Sequence, residues 1–172
     1  MVWILATILT TTFFSCEKDD DPFKECRKNP DCEYFTCKVN GKRWEPRCDG
    51  GPLFGCTPWD VQYYRNLEWF IMNVRNDETN QTFLIYIEGN LQNNTIHEIF
   101  TNENSPSFLR EGILQDSCTN FKIINDENSY FEIINIDFNQ RKIKGKFSFI
   151  GKNDCGDEAI ITDGEFNLLY RF

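Results

Sequence analysis

The stretch Leu67-Glu68-Trp69-Phe70-Ile71-Met72-Asn73-Val74-Arg75 decides the fold class. Successive side chains of an extended chain point to opposite faces. Leu67, Trp69, Ile71 and Asn73 therefore share one face, and Glu68, Phe70, Met72 and Val74 share the other. Both faces carry apolar groups, which predicts a central strand with Trp69 in the core. Working outward, residues 76–80 read as a turn, 82–88 as the next strand and 89–94 as another turn. Further strands are expected near 95–100, 108–114, 120–124, 130–137, 142–150, 159–162 and 165–170. Phe138-Asn139-Gln140 separates two of them, and Asp163-Gly164 separates the last pair or forms a bulge.

Upstream, Glu33 to Val39 and Lys42-Arg43-Trp44 flank Asn40-Gly41. Asn-Gly between strand-like runs predicts a two-residue hairpin, because both central positions need φ > 0. Residues 45–59 hold Pro46, Gly50-Gly51-Pro52 and Pro58 and read as a loop. No segment has a convincing helical period and no internal repeat is present. Many short strands separated by turns predict an all-β domain, an antiparallel β-sandwich or open barrel of roughly eight to ten strands.

The chain has 172 residues, enough for one domain, and its sixteen Phe supply material for a core. It carries 27 Asp+Glu against 18 Lys+Arg, a net charge of −9. That charge repels phosphate backbones and argues against nucleic acid as a partner. The basic run from Arg141 to Lys146 reads as the solvated face of a strand.

The N-terminus reads as a targeting segment. Val2 to Phe14 is apolar apart from Thr, too short for a membrane-spanning helix and suited to the apolar region of a signal peptide. Ser15-Cys16 follows, then Glu17-Lys18-Asp19-Asp20-Asp21-Pro22. A small residue before Cys at the end of such a region resembles the lipobox of bacterial lipoproteins. Cysteine followed by an acidic cluster resembles the surface-export signal of Bacteroidota lipoproteins. The resemblance implies cleavage before Cys16, acylation of that cysteine, and anchoring to the outer membrane on its surface or periplasmic side. It divides the chain into a signal peptide (1–15), a lipidated flexible tether (16–32) and one all-β domain (33–172). The opening Phe35-Thr36-Cys37-Lys38-Val39-Asn40-Gly41-Lys42-Arg43-Trp44 is similar to the first hairpin of uncharacterised Bacteroidota lipoprotein domains. So are the closing runs 143–149 and 161–166. That family implies no catalytic residue.

Setting Cys16 aside, seven of the eight cysteines remain, so at least one thiol is unpaired within the chain. In an oxidising compartment disulfides are the default. Cys48 with Cys56 and Cys118 with Cys155 are the expected pairs, and the pairing of Cys26, Cys32 and Cys37 is left open. With no Cys-x-x-Cys pair and a single His, zinc is not expected.

His97 is the sole histidine, so every nucleophilic triad would need it, and no Gly-x-Ser-x-Gly elbow exists. Asn153-Asp154-Cys155-Gly156-Asp157-Glu158 departs from EF-hand spacing and reads as a solvated turn. Accordingly no catalytic residue, metal or cofactor is assigned. Trp59, Tyr63 and Tyr64, near the disulfide-pinned loop, are the candidate ligand-binding residues, for an unknown protein or glycan. A non-enzymatic binding module is the favoured function. A carboxylate-based hydrolase and a structural or inhibitory lipoprotein are the alternatives.

Overall fold

The computed structural model describes residues 21–50, 55–97, 109–111, 117–124 and 127–172. The expected signal peptide and Cys16 lie outside them. Among the described residues the chain forms β1 (Tyr34–Val39), β2 (Lys42–Trp44), β3 (Trp59–Tyr64), β4 (Trp69–Asn76), β5 (Gln81–Glu88), β6 (Thr95–His97), β7 (Leu109–Glu111), β8 (Asn120–Ile123), β9 (Tyr130–Asp137), β10 (Lys142–Lys152) and β11 (Glu158–Leu169). Two short 3₁₀ turns, Cys26–Lys28 and Ser117–Thr119, accompany them.

The strands make an all-β sandwich. One sheet runs β2-β1-β11-β10, and the other edge of β10 pairs first with β9 and then with β8. Beyond β9 lies β6. The second sheet is β3-β4-β5. A short β7 links β5 to β8, carrying the hydrogen-bonded path from one sheet to the other. Every strand ladder is antiparallel, and none joins β3 to β2 among the described residues, so the sandwich is not a closed barrel. A parallel bridge at a second corner joins Gln62 of β3 to Arg171.

Local sequence explains the elements. Asn40 and Gly41 take φ of 50° and 76°, and Val39 pairs with Lys42, as the hairpin requires. β11 is one strand through Asp163-Gly164 rather than two. Its register against β10 shifts between Phe147 and Phe149, with Asp163 at φ 53°, the mark of a bulge in β11. In β4, Phe70, Met72 and Val74 point inward and are fully buried.

Between the sheets the core is aromatic. Phe83 of the small sheet meets Phe35 at 5.7 Å and Phe147 at 6.3 Å, and Phe70 meets Phe131 at 5.8 Å. Trp44 packs edge-on against Phe83 at 4.7 Å and donates its indole N–H to Gln81 Oε1 at 2.7 Å. Trp69 is not part of this core. It is 41 % exposed on the outer face of the small sheet, beside Tyr86 at 6.1 Å. A two-faced apolar strand leaves open which face turns inward, and packing against the large sheet selects Phe70, Met72 and Val74.

The domain begins earlier than position 33. Residues 21–32, expected as tether, pack on the outer face of β1 and β11. Cys26 is bonded to Cys32. Arg27 holds both Asp21 and Glu165, and Arg43 reaches Asp21 at 3.2 Å. Phe23 lies 5.9 Å from the Tyr34 ring. The Asn167 amide donates to Cys32 O at 2.8 Å, and Lys142 Nζ donates to Pro30 O. This cover explains why Tyr34 to Cys37 are all buried, on both faces of an otherwise outer strand.

Cys48–Cys56 and Cys118–Cys155 are the other two disulfides. Cys37 is the free cysteine among the described residues, and burial pushes its thiol pKa up. Three disulfides are sustained outside the reducing cytosol and mark an exported protein.

Candidate functional site

The three expected binding aromatics separate. β3 runs along the edge of the small sheet, with Val61 and Tyr63 inward and Asp60, Gln62 and Tyr64 outward. Tyr63 is fully buried. Its hydroxyl donates to Asn90 Oδ1 at 2.9 Å and accepts from the Leu91 N–H at 3.2 Å. It is a core residue and presents no ligand-binding surface. Tyr64, its neighbour, necessarily faces the other way and bonds Gln62 Oε1 at 2.6 Å. Cross-strand pairing sets it beside Trp69 on the outer face.

Trp59 sits where β3 begins, half-buried against the margin of the core. It forms one wall of a cleft of about 340 Å³ at the corner where the C-terminal residues cross to β3. Glu33, just before β1, holds the indole in place. Glu33 Oε2 accepts the Trp59 Nε1–H at 3.2 Å and the Leu169 N–H at 3.0 Å. Asp60 also lines the cleft, and the Gln62 amide donates to its Oδ2 at 2.7 Å.

The cleft also has cationic lining. Gln140 and Arg141 come from the turn between β9 and β10, with Arg141 at φ 55°. The Arg141 guanidinium stacks on Phe172, 4.4 Å from the ring centre. Arg171 is fixed by its backbone, since its N–H donates to Val61 O at 2.8 Å and its carbonyl accepts the Tyr63 N–H at 2.9 Å. Arg27, Arg43, Arg47 and Arg75 each hold a carboxylate, whereas Arg141 and Arg171 have none within 4 Å among the described residues. Tyr170 lines the cleft as well. Burial, then Tyr63, pushes its phenol pKa up, and its hydroxyl has no hydrogen-bond partner among the described residues. A smaller cavity of about 230 Å³ continues past Trp59 and Arg171 to Asn73 and Arg75.

Arg171 did not stand out in the sequence, and Arg141 read as part of a solvated run. No local pattern marks either, because only the crossing of the last residues onto β3 brings them to Trp59. His97 stands at the end of β6, its side chain bonded to the Gln92 backbone and its pKa lowered by burial. The 153–158 loop is a turn organised by Asn153, whose Oδ1 accepts the Cys155 and Asp157 N–H groups. Among the described residues no three His, Cys, Asp or Glu side chains gather as metal ligands would.

Compared with known proteins, the chain matches no family model, no curated protein and no solved structure.

Proposed function

We propose that this exported β-sandwich is a lipid-anchored lipoprotein of the bacterial outer membrane, working as a non-enzymatic binding module whose ligand lies in the Trp59 cleft. The anchor is Cys16, and its support is the Ser15-Cys16 junction, the preceding apolar segment and the acidic cluster behind it. One observation carries the binding reading. Two arginines without carboxylate partners and an indole converge on one cleft, while the two carboxylates there already accept N–H donors. Such a cleft offers orienting contacts around an apolar wall, as small-molecule sites do.

The hydrolase reading also has an observation in its favour, because Glu33 and Asp60 line the same cavity. A general acid must carry and release a proton. Glu33 instead takes two N–H donors on one oxygen, an arrangement that suits a fixed acceptor.

The test is a glycan array and an unbiased pull-down with the detergent-extracted protein, run beside Trp59→Ala. Ligands retained by the wild type and lost from the variant support the reading, and identical retention by both overturns it. Glycan turnover abolished by Glu33→Gln would establish the hydrolase instead. For the anchor, cells labelled with palmitate should yield a labelled protein, and a Cys16→Ser variant that still carries label would overturn it.

A further inference from the structure

Resting on that reading of the cleft, we infer that its ligand is a sugar bearing a single carboxylate, a uronic-acid residue of an acidic glycan. The chain as a whole is strongly acidic, at −9, yet this corner presents two guanidinium groups that, among the described residues, have no carboxylate within 4 Å. Arg171 is held at its backbone by β3, and Arg141 is held by its stack on Phe172, which leaves the N–H edge of that guanidinium available. Planar N–H forks match carboxylates in paired hydrogen bonds.

The remaining lining residues narrow the choice. Glu33 and Asp60 line the same cleft as the arginines, and they repel a ligand with a second negative charge. A phosphate monoester, with close to two negative charges at neutral pH, is disfavoured, and a monoanion is tolerated. Those carboxylates, with Gln140, are acceptors suited to hydroxyl donors, so the rest of the ligand carries hydroxyls. The Trp59 indole supplies an apolar face against which a ring packs. At about 340 Å³ the cleft is at the small end of ligand sites, sized for a sugar ring rather than a peptide strand.

Calorimetry on the full mature chain in detergent micelles, with a methyl galacturonoside, which bears one carboxylate, as the probe and its methyl ester as the neutral control, tests this. The acid should bind about tenfold or more tightly than the ester, and Arg171→Ala should lose about tenfold or more of that affinity. Arg171→Lys, which keeps the charge without the fork, should recover it only in part. Circular dichroism shows whether each variant is folded, and Arg141→Ala provides the same measurement from a side chain outside the β3 bridge. Equal binding of acid and ester that still depends on Trp59 overturns the carboxylate assignment and leaves a binding cleft standing. Tighter binding of a phosphorylated sugar or an acidic peptide overturns the ligand class. Failure of every glycan and peptide, with no difference between wild type and Trp59→Ala in the pull-down, overturns the cleft itself.

Discussion

The phenyl ring of Phe147 covers the bare Cα of Gly164, its cross-strand partner, so closely that a β-carbon at Gly164 would stand 2.5 Å from both that ring and the Phe147 carbonyl oxygen. The relation is reciprocal. Gly145 pairs with Phe166, whose ring would be 2.5 Å from an added β-carbon, and the Glu132 carbonyl would be 2.4 Å away. Each glycine thus makes room for the aromatic ring of the opposite strand, a known device for stabilising glycine in sheets.

Gly164→Ala and Gly145→Ala should therefore each destabilise the domain by about 1–3 kcal/mol, because the obstructing atoms include backbone that cannot swing aside. Urea titration should show a lower midpoint with an unchanged slope. A variant as stable as the parent would disprove the close packing.

Trp44 and Trp69 should respond in opposite ways to truncation. Trp44 is 5 % exposed and packed on Phe35 and Phe83, so Trp44→Ala should cost about 3–5 kcal/mol. Trp69→Ser, on the outer face, should change stability by less than about 1 kcal/mol. Thermal melts of the two variants decide the matter, and a large loss from Trp69→Ser would place the strand the other way round.

How much of this was legible beforehand depended on the residue. The alternation in 67–75 shows a strand because its period is two, but with apolar groups on both faces nothing local says that Phe70 rather than Trp69 faces the core. Tyr63 and Tyr64 are adjacent on a strand and cannot share a surface, so only one of them was ever available to a ligand. Residues 21–32 look like tether because they are charged. They order mainly through Arg27, Arg43 and the Cys26–Cys32 bond, with a ring contact of Phe23 on Tyr34, and composition does not register such ties. The cleft was illegible for a topological reason, since Glu33, Trp59, Arg141 and Arg171 are distant in sequence and meet where the chain crosses between sheets.

The two disulfides pinned from different loop lengths should differ in worth. Cys118–Cys155 closes 37 residues and Cys48–Cys56 closes 8. Restriction of the unfolded chain predicts losses of about 4 and about 2.5 kcal/mol respectively when each pair is replaced by alanine. Denaturant unfolding of the two double variants should preserve that order, and the reverse order would rule out loop closure as the main contribution.

Cys37 gives a pH dependence with a definite sign. Its folded-state pKa lies above the ordinary thiol value because burial disfavours the thiolate. The unfolded chain loses its proton first, so stability is whole below about pH 8.5 and declines as pH rises beyond it, by at most about 1.4 kcal/mol per pH unit. The slope between pH 8.5 and 10 should flatten in Cys37→Ala. A thiol reagent should leave the native protein unlabelled at Cys37 and modify it once unfolded. Rapid labelling of the native protein would show that the thiol is not enclosed.

The docked segment before β1 has a mechanical side. A pull delivered at Asp21 meets its ion pairs with Arg27 and Arg43 first, and Arg27 hands part of it to Glu165 in β11. Part of the load thereby reaches β11 before the end of β1 takes the rest. A domain leashed at one side and tugged by a bulky polymer at the other would resist being unzipped from its first strand.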